Sequence, residues 1–82
     1  MLWPMAARSI NKEAIKRFPE ELRALRQEKH WTQEELADRA GLHFTYISQI
    51  ERGLESPSLR SLGQIADALG ITLSTLVKKM EE

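Results

Sequence analysis

Apolar positions along the chain recur at intervals of three and four, and no stretch alternates apolar and polar residues as a half-buried strand would, so the pattern predicts an all-α protein. Five helical segments can be placed. The first is expected from about Phe18 to Lys29, with Pro19 in the opening turn, where a missing N–H costs nothing, and Leu22, Leu25 and Arg26 at helical spacing. A residue before proline is biased away from helix, so a break is expected at Phe18; upstream, Ile10, Ala14 and Ile15 could form a short extra turn. The second segment has the clearest start. Thr32 can accept from the N–H of Glu35, Glu35 can reach back, and Trp31 can pack on Leu36. It should end at Ala40, with Gly41 as a left-handed cap. A third helix, about Phe44 to Arg52, puts Ile47 and Ile50 on one face and stops at Gly53. Beyond the loop Leu54-Glu55-Ser56-Pro57, Ser58 caps a fourth helix with the stripe Leu59, Leu62, Ile65, Ala66 and Leu69, closed by Gly70. Thr72 can cap the last helix, Leu73 to about Met80, whose apolar face holds Leu73, Leu76, Val77 and Met80.

The length of 82 residues suits one small domain stabilised by compact helix packing. The expected organisation is residues 1–17 as an arm or short extra helix and residues 18–82 as the folded domain. With no cysteine, disulfides and thiolate metal sites are excluded, which fits a reducing, cytoplasmic compartment. Met-Leu-Trp-Pro-Met-Ala-Ala at the start is too short, and too broken by Pro4, for a secretory apolar region or a membrane span. Twelve basic side chains balance twelve acidic ones, so no partner is recognised by bulk basicity, and a nucleic-acid reading needs local segregation of charge. Residues 1–17 supply some, with Arg8, Lys12, Lys16 and Arg17 against Glu13; a solvated arm explains that run equally well. Trp3 could fold over the core or assist a dimer. There is no phosphate loop and no cluster at metal-ligand spacing, and His30 and His43 each stand alone, so neither catalysis, a metal nor a cofactor is expected.

The informative unit runs from Gln33 to Arg52: two short helices joined at Ala40-Gly41-Leu42. Ala37 is small where the helices must approach, Gly41 accepts positive φ in the sharp turn, and Leu36, Ala40, Leu42, Ile47 and Ile50 can share one core. The other face of the third helix stays polar or aromatic, with Phe44, Thr45, Tyr46, Ser48 and Gln49. Such a helix can be held by its back and offer its front to a groove.

The run TQEELADRAGLHFTYISQIERGLESPSLRSLGQIADALGITLSTL, with the preceding LRALRQEKHW, resembles the Xre-type, or Cro and phage-repressor-like, helix-turn-helix family over about Phe18 to Met80. The resemblance implies a compact five-helix, lambda-repressor-like domain with the helix-turn-helix at helices 2 and 3. It implies a homodimeric transcriptional regulator, a repressor or autoregulator, that reads an inverted-repeat operator in double-stranded DNA. Gln33 matches a glutamine that touches a DNA phosphate, although an exposed first-turn residue is the plainer alternative. Phe44, Thr45, Ser48 and Gln49 match positions that face base edges; Gln49 could bond adenine bidentately, Thr45 could touch a base or a thymine methyl, and Phe44 could contact a thymine methyl or pack locally. His43 and Tyr46 match positions of backbone or groove-edge contact, and Arg52 a phosphate contact for which helix-dipole pairing is the other explanation. Arg26 and Glu51 match a partly buried ion pair between helix 1 and the recognition helix. His30 stands where the family usually has glycine, which implies a strained backbone or a slightly different turn. Leu73, Leu76, Val77 and Met80 are the expected dimer interface. The YIS-x-IERG run also resembles controller proteins of restriction-modification systems. An antitoxin or a bridging module whose main partner is another protein is the alternative class.

Overall fold

The computed structural model describes the backbone of residues 3–81 and the side chains of residues 15–81. Its helices are α1 (Trp3–Glu28), α2 (Gln33–Ala40), α3 (Phe44–Glu51), α4 (Leu59–Leu69) and α5 (Leu73–Glu81), and the described residues form no strand. Helix α1 lies against α3 and α5, while α2 packs on α3 and α4, and α4 on α5. One core results, built from Phe18, Leu22, Leu36, Ala37, Ala40, Ile47, Ile50, Ile65, Ala66, Leu69, Leu76 and Met80.

The first element corrects the expectation drawn from proline. Helix α1 runs without interruption through Phe18 and Pro19. The local cost is real, because Pro19 has no N–H to give the Ile15 carbonyl and its ring crowds that oxygen. Two features offset it. Ile15 is 55% exposed, so water can take the freed bond, and Phe18 and Leu22, on either side of the proline, are 2% and 0% exposed in the core. Tertiary burial on both sides fixes the direction of the helix where local preference would turn it. Arg17 adds a tether, its Nη2 donating to the Met80 carbonyl at the end of α5 over 2.8 Å. The side chains of Trp3, Arg8, Ile10, Lys12, Glu13 and Ala14 lie outside the described residues.

The other boundaries follow from capping. Thr32 and Glu35 form a reciprocal capping box at the start of α2. Gly41, at φ 69°, closes α2 and turns the chain toward α3. A Cβ at Gly41 would also approach Gln64, whose Nε2 donates to the Ala40 carbonyl at 3.1 Å and so staples α4 to this turn. Ser58 caps α4 and Thr72 caps α5, each accepting the N–H three residues ahead. Leu59 departs from the expected stripe: it is 71% exposed, because as the first residue of α4 it sits before the turn that meets the core. At the end of α1, His30 adopts φ 59°, the left-handed conformation in which glycine has no Cβ penalty. The N–H groups of His30 and Trp31 then return to the carbonyls of Gln27 and Arg26.

Candidate nucleic-acid interface

Helix α3 divides cleanly into a held face and an offered one. Ile47 and Ile50 are fully buried, and Glu51 follows them at 2% exposure. Phe44 and Thr45 are exposed, and Ser48 and Gln49 are half-buried on the opposite side. Among the described residues, the side chains of Thr45, Ser48 and Gln49 enter no hydrogen bond, so their donors and acceptors are available to an external partner. Phe44, 44% exposed, keeps much of its ring in water, an apolar cost that contact with another surface would relieve.

The back of α3 is fixed by a polar cluster centred on Glu51. Arg26 Nε donates to Glu51 Oε2 at 2.7 Å and Arg26 Nη2 to Oε1 at 2.9 Å, a two-pronged pairing of guanidinium and carboxylate. The third arm, Nη1, donates to the Trp31 carbonyl at 2.8 Å and ties the α1–α2 turn to the same point. The hydrogen bond to Glu51 raises the Arg26 pKa against the opposing effect of burial, so the cation is permanent. Gln33 Nε2 completes the cluster by donating to Glu51 Oε1 at 3.0 Å. Gln33 is therefore a half-buried brace between α2 and α3, with its amide oriented by the carboxylate.

The two ends of α3 are secured differently. At the N-terminus, His43 Nδ1 accepts the N–H of Thr45 at 3.1 Å, so a histidine does what Ser or Asp does in other caps. This bond requires Nδ1 to be unprotonated and places the ring proton on Nε2. His43→Ala removes an N-cap acceptor and is expected to destabilise the protein by about 0.5–2 kcal/mol in urea unfolding, with His43→Ser recovering most of the loss. The Tyr46 hydroxyl oxygen accepts the Ser58 N–H at 3.2 Å, joining α3 to the start of α4 while its own O–H proton stays available. Arg52 is exposed and caps the C-terminus of α3 through its backbone N–H.

The structure thus brings Gln33, His43, Phe44, Thr45, Tyr46, Ser48, Gln49 and Arg52 together on and around α3. The expected dimer residues separate. Leu76 and Met80, at 0% and 7% exposure, are already covered within the protomer by α1 and the core, whereas Leu73 and Val77 are half-buried. Part of that four-residue stripe was expected to pack against a second copy; contact with α1 and the core covers Leu76 and Met80 instead. Sequence reasoning also missed Arg23, whose Nη2 donates to the Glu51 carbonyl at 2.7 Å, and the packing of Arg39 and Lys29 over Trp31, at 4.4 and 5.6 Å from the ring centroid. Helical spacing gave a signal for Arg23, one turn before Arg26 on α1.

Two short helices joined by a left-handed glycine turn, the second anchored by its rear face and set forward on a helical scaffold, define a helix-turn-helix domain. A helix-turn-helix family model matches residues 22–76, and the chain belongs to that family, in its Xre-type branch. The immunity repressor protein of Bacillus phage phi105 is 43% identical over 56 residues, covering 68% of this chain and 39% of the repressor. The HTH-type transcriptional regulator y4dJ of Sinorhizobium fredii is 41% identical over 58 residues, or 71% of this chain and 75% of that protein. Among solved structures, the restriction-modification controller protein C.AhdI from Aeromonas hydrophila superposes with a TM-score of 0.71 at 37% identity, covering 76% of this chain and 94% of that one. A point mutant of the controller protein C.Esp1396I gives a TM-score of 0.75 at 28% identity over 82% of this chain and 85% of its own. The chain spans about two fifths of the length of several curated relatives. These relatives are regulators and controller proteins rather than enzymes.

Proposed function

We propose that this protein is a transcriptional regulator that binds an inverted-repeat operator as a homodimer, inserting α3 into the major groove of each half-site. The observation that carries the reading is the division of α3: its back is locked by Ile47, Ile50 and Glu51, while the side chains of Thr45, Ser48 and Gln49 make no hydrogen bond among the described residues. A helix built this way has its specificity on the side facing away from its own fold. Gln49 pairs bidentately with adenine, Thr45 meets a base or a thymine methyl, and Phe44 covers a thymine methyl. Gln33, Tyr46, His43 and Arg52 lie around the helix and hold the flanking phosphates.

Dimerisation through the half-buried Leu73 and Val77 of α5 sets two recognition helices about one helical turn of DNA apart, roughly 34–36 Å. Two half-sites multiply the few base contacts that one domain can make. A narrower form of the reading is a controller of restriction-modification genes, which the likeness to C.AhdI and C.Esp1396I supports.

Paired substitutions test the division of labour. Gln49→Ala is expected to cut the preference for the operator over a scrambled duplex by about 1–3 kcal/mol, measured by fluorescence anisotropy. Gln33→Ala is expected to weaken both duplexes alike. Equal losses on both duplexes for Gln49→Ala would exclude base reading by that residue.

A further inference from the structure

One cation of α1 shares its anchor with Gln33, one of the proposed phosphate contacts. Arg23 Nη2 donates to the Glu51 carbonyl at 2.7 Å, and Arg23 Nε lies 3.7 Å from Glu51 Oε1. That oxygen is the one that receives the Gln33 amide at 3.0 Å. Side chains from α1 and α2 therefore converge on one atom at the rear of the recognition helix.

The two arginines around Glu51 differ in what they have left to give. Arg26 commits Nε, Nη1 and Nη2 to the carboxylate and to the Trp31 carbonyl, and its side chain is 12% exposed. Arg23 has a side chain that is 44% exposed and makes its short bond to a neutral carbonyl, leaving four of its five N–H groups without a hydrogen bond among the described residues. The charge count points the same way. Two guanidinium groups face one carboxylate, Arg26 neutralises it at 2.7 Å, and a whole positive charge is left on Arg23 beside Gln33. In a chain whose net charge is zero, such a local excess is what can meet a phosphate.

We infer that Arg23 binds a DNA backbone phosphate next to the one held by Gln33, adding a charged contact from α1 to those of the helix-turn-helix unit. The inference rests on the duplex-binding reading above. Arg23 also caps the C-terminal end of α3, so the test must separate charge from scaffold. Arg23→Gln keeps a side-chain N–H donor while removing the charge, and Arg23→Lys keeps the charge without the planar fork.

Binding of the full chain to operator and scrambled duplexes is measured by anisotropy between 50 and 300 mM salt, with helicity followed by circular dichroism. A phosphate contact predicts that Arg23→Gln lowers the slope of log K against log salt by about 1 and weakens both duplexes about fivefold near physiological salt. Arg23→Lys should keep the wild-type slope. If the glutamine variant is not helical, Arg23→Met, which retains the alkyl stem, supplies the same comparison. A helical, uncharged variant with the wild-type slope would overturn the inference while leaving duplex binding intact. Wild-type protein that binds neither duplex would overturn the parent reading, and Arg23's role with it.

Discussion

Arg26→Ala is expected to lower the unfolding free energy by about 3–5 kcal/mol, because it strands a carboxylate that has no exposed surface. Gln33 and Arg23 would remain near Glu51, but neither replaces two charge-assisted bonds of 2.7 and 2.9 Å. The loss extends beyond the pair, since Arg26 also holds the Trp31 carbonyl at the entry to α2. Urea unfolding followed by circular dichroism measures the effect. The double variant Arg26→Met with Glu51→Leu is expected to recover much of it, because no buried charge is left without its partner, while the Trp31 carbonyl and the Gln33 amide still each lose a bond. A single variant within about 1 kcal/mol of wild type would show that the pair is solvated and only weakly coupled.

Phe18→Ala is expected to cost a similar amount, about 3–5 kcal/mol, through lost burial and the cavity left behind. The consequence reaches further than the number. Phe18 is the residue whose burial, with that of Leu22, carries α1 straight through Pro19. Without it, the local preference of the residue before proline is opposed on one side only. Protection of amides upstream of Pro19 against hydrogen exchange is therefore expected to fall more than protection in α3. Uniform loss across both helices would show that Phe18 contributes packing alone.

This element also shows where the sequence was legible and where it was not. The ends of α2 and α4 follow from nearest-neighbour chemistry: Thr32 with Glu35, Ser58, and the glycines at 41 and 70 are local signals that the fold obeys. The span of α1 depends instead on contacts with α3 and α5, which no window around Pro19 contains. The same limit explains Leu76 and Met80. Their helical spacing marked an apolar face, but which surface covers that face depends on α1, at the other end of the chain.

At the interface, residue types on α3 and family resemblance located the offered face. Hydrogen-bond directions were not legible. Tyr46 was expected at a backbone or groove-edge contact, and the bond its hydroxyl oxygen accepts from the Ser58 N–H was not foreseen. His43, an unusual residue at a helix start, caps α3 through Nδ1, a role that depends on ring orientation rather than on residue type. His30 was legible because a side chain where a turn favours glycine leaves few conformations, and the backbone adopts the left-handed one at φ 59°.

Selection of bound sequences from a randomised duplex library at near-physiological salt tests the central claim most directly, with Gln49→Ala run in parallel. An operator-reading homodimer predicts enrichment of an inverted repeat whose half-site centres lie about 10 base pairs apart, with weaker preference at one position in each half for the variant. Folded wild-type protein that enriches no sequence would contradict the account, because the open face of α3 would then serve a partner other than duplex DNA.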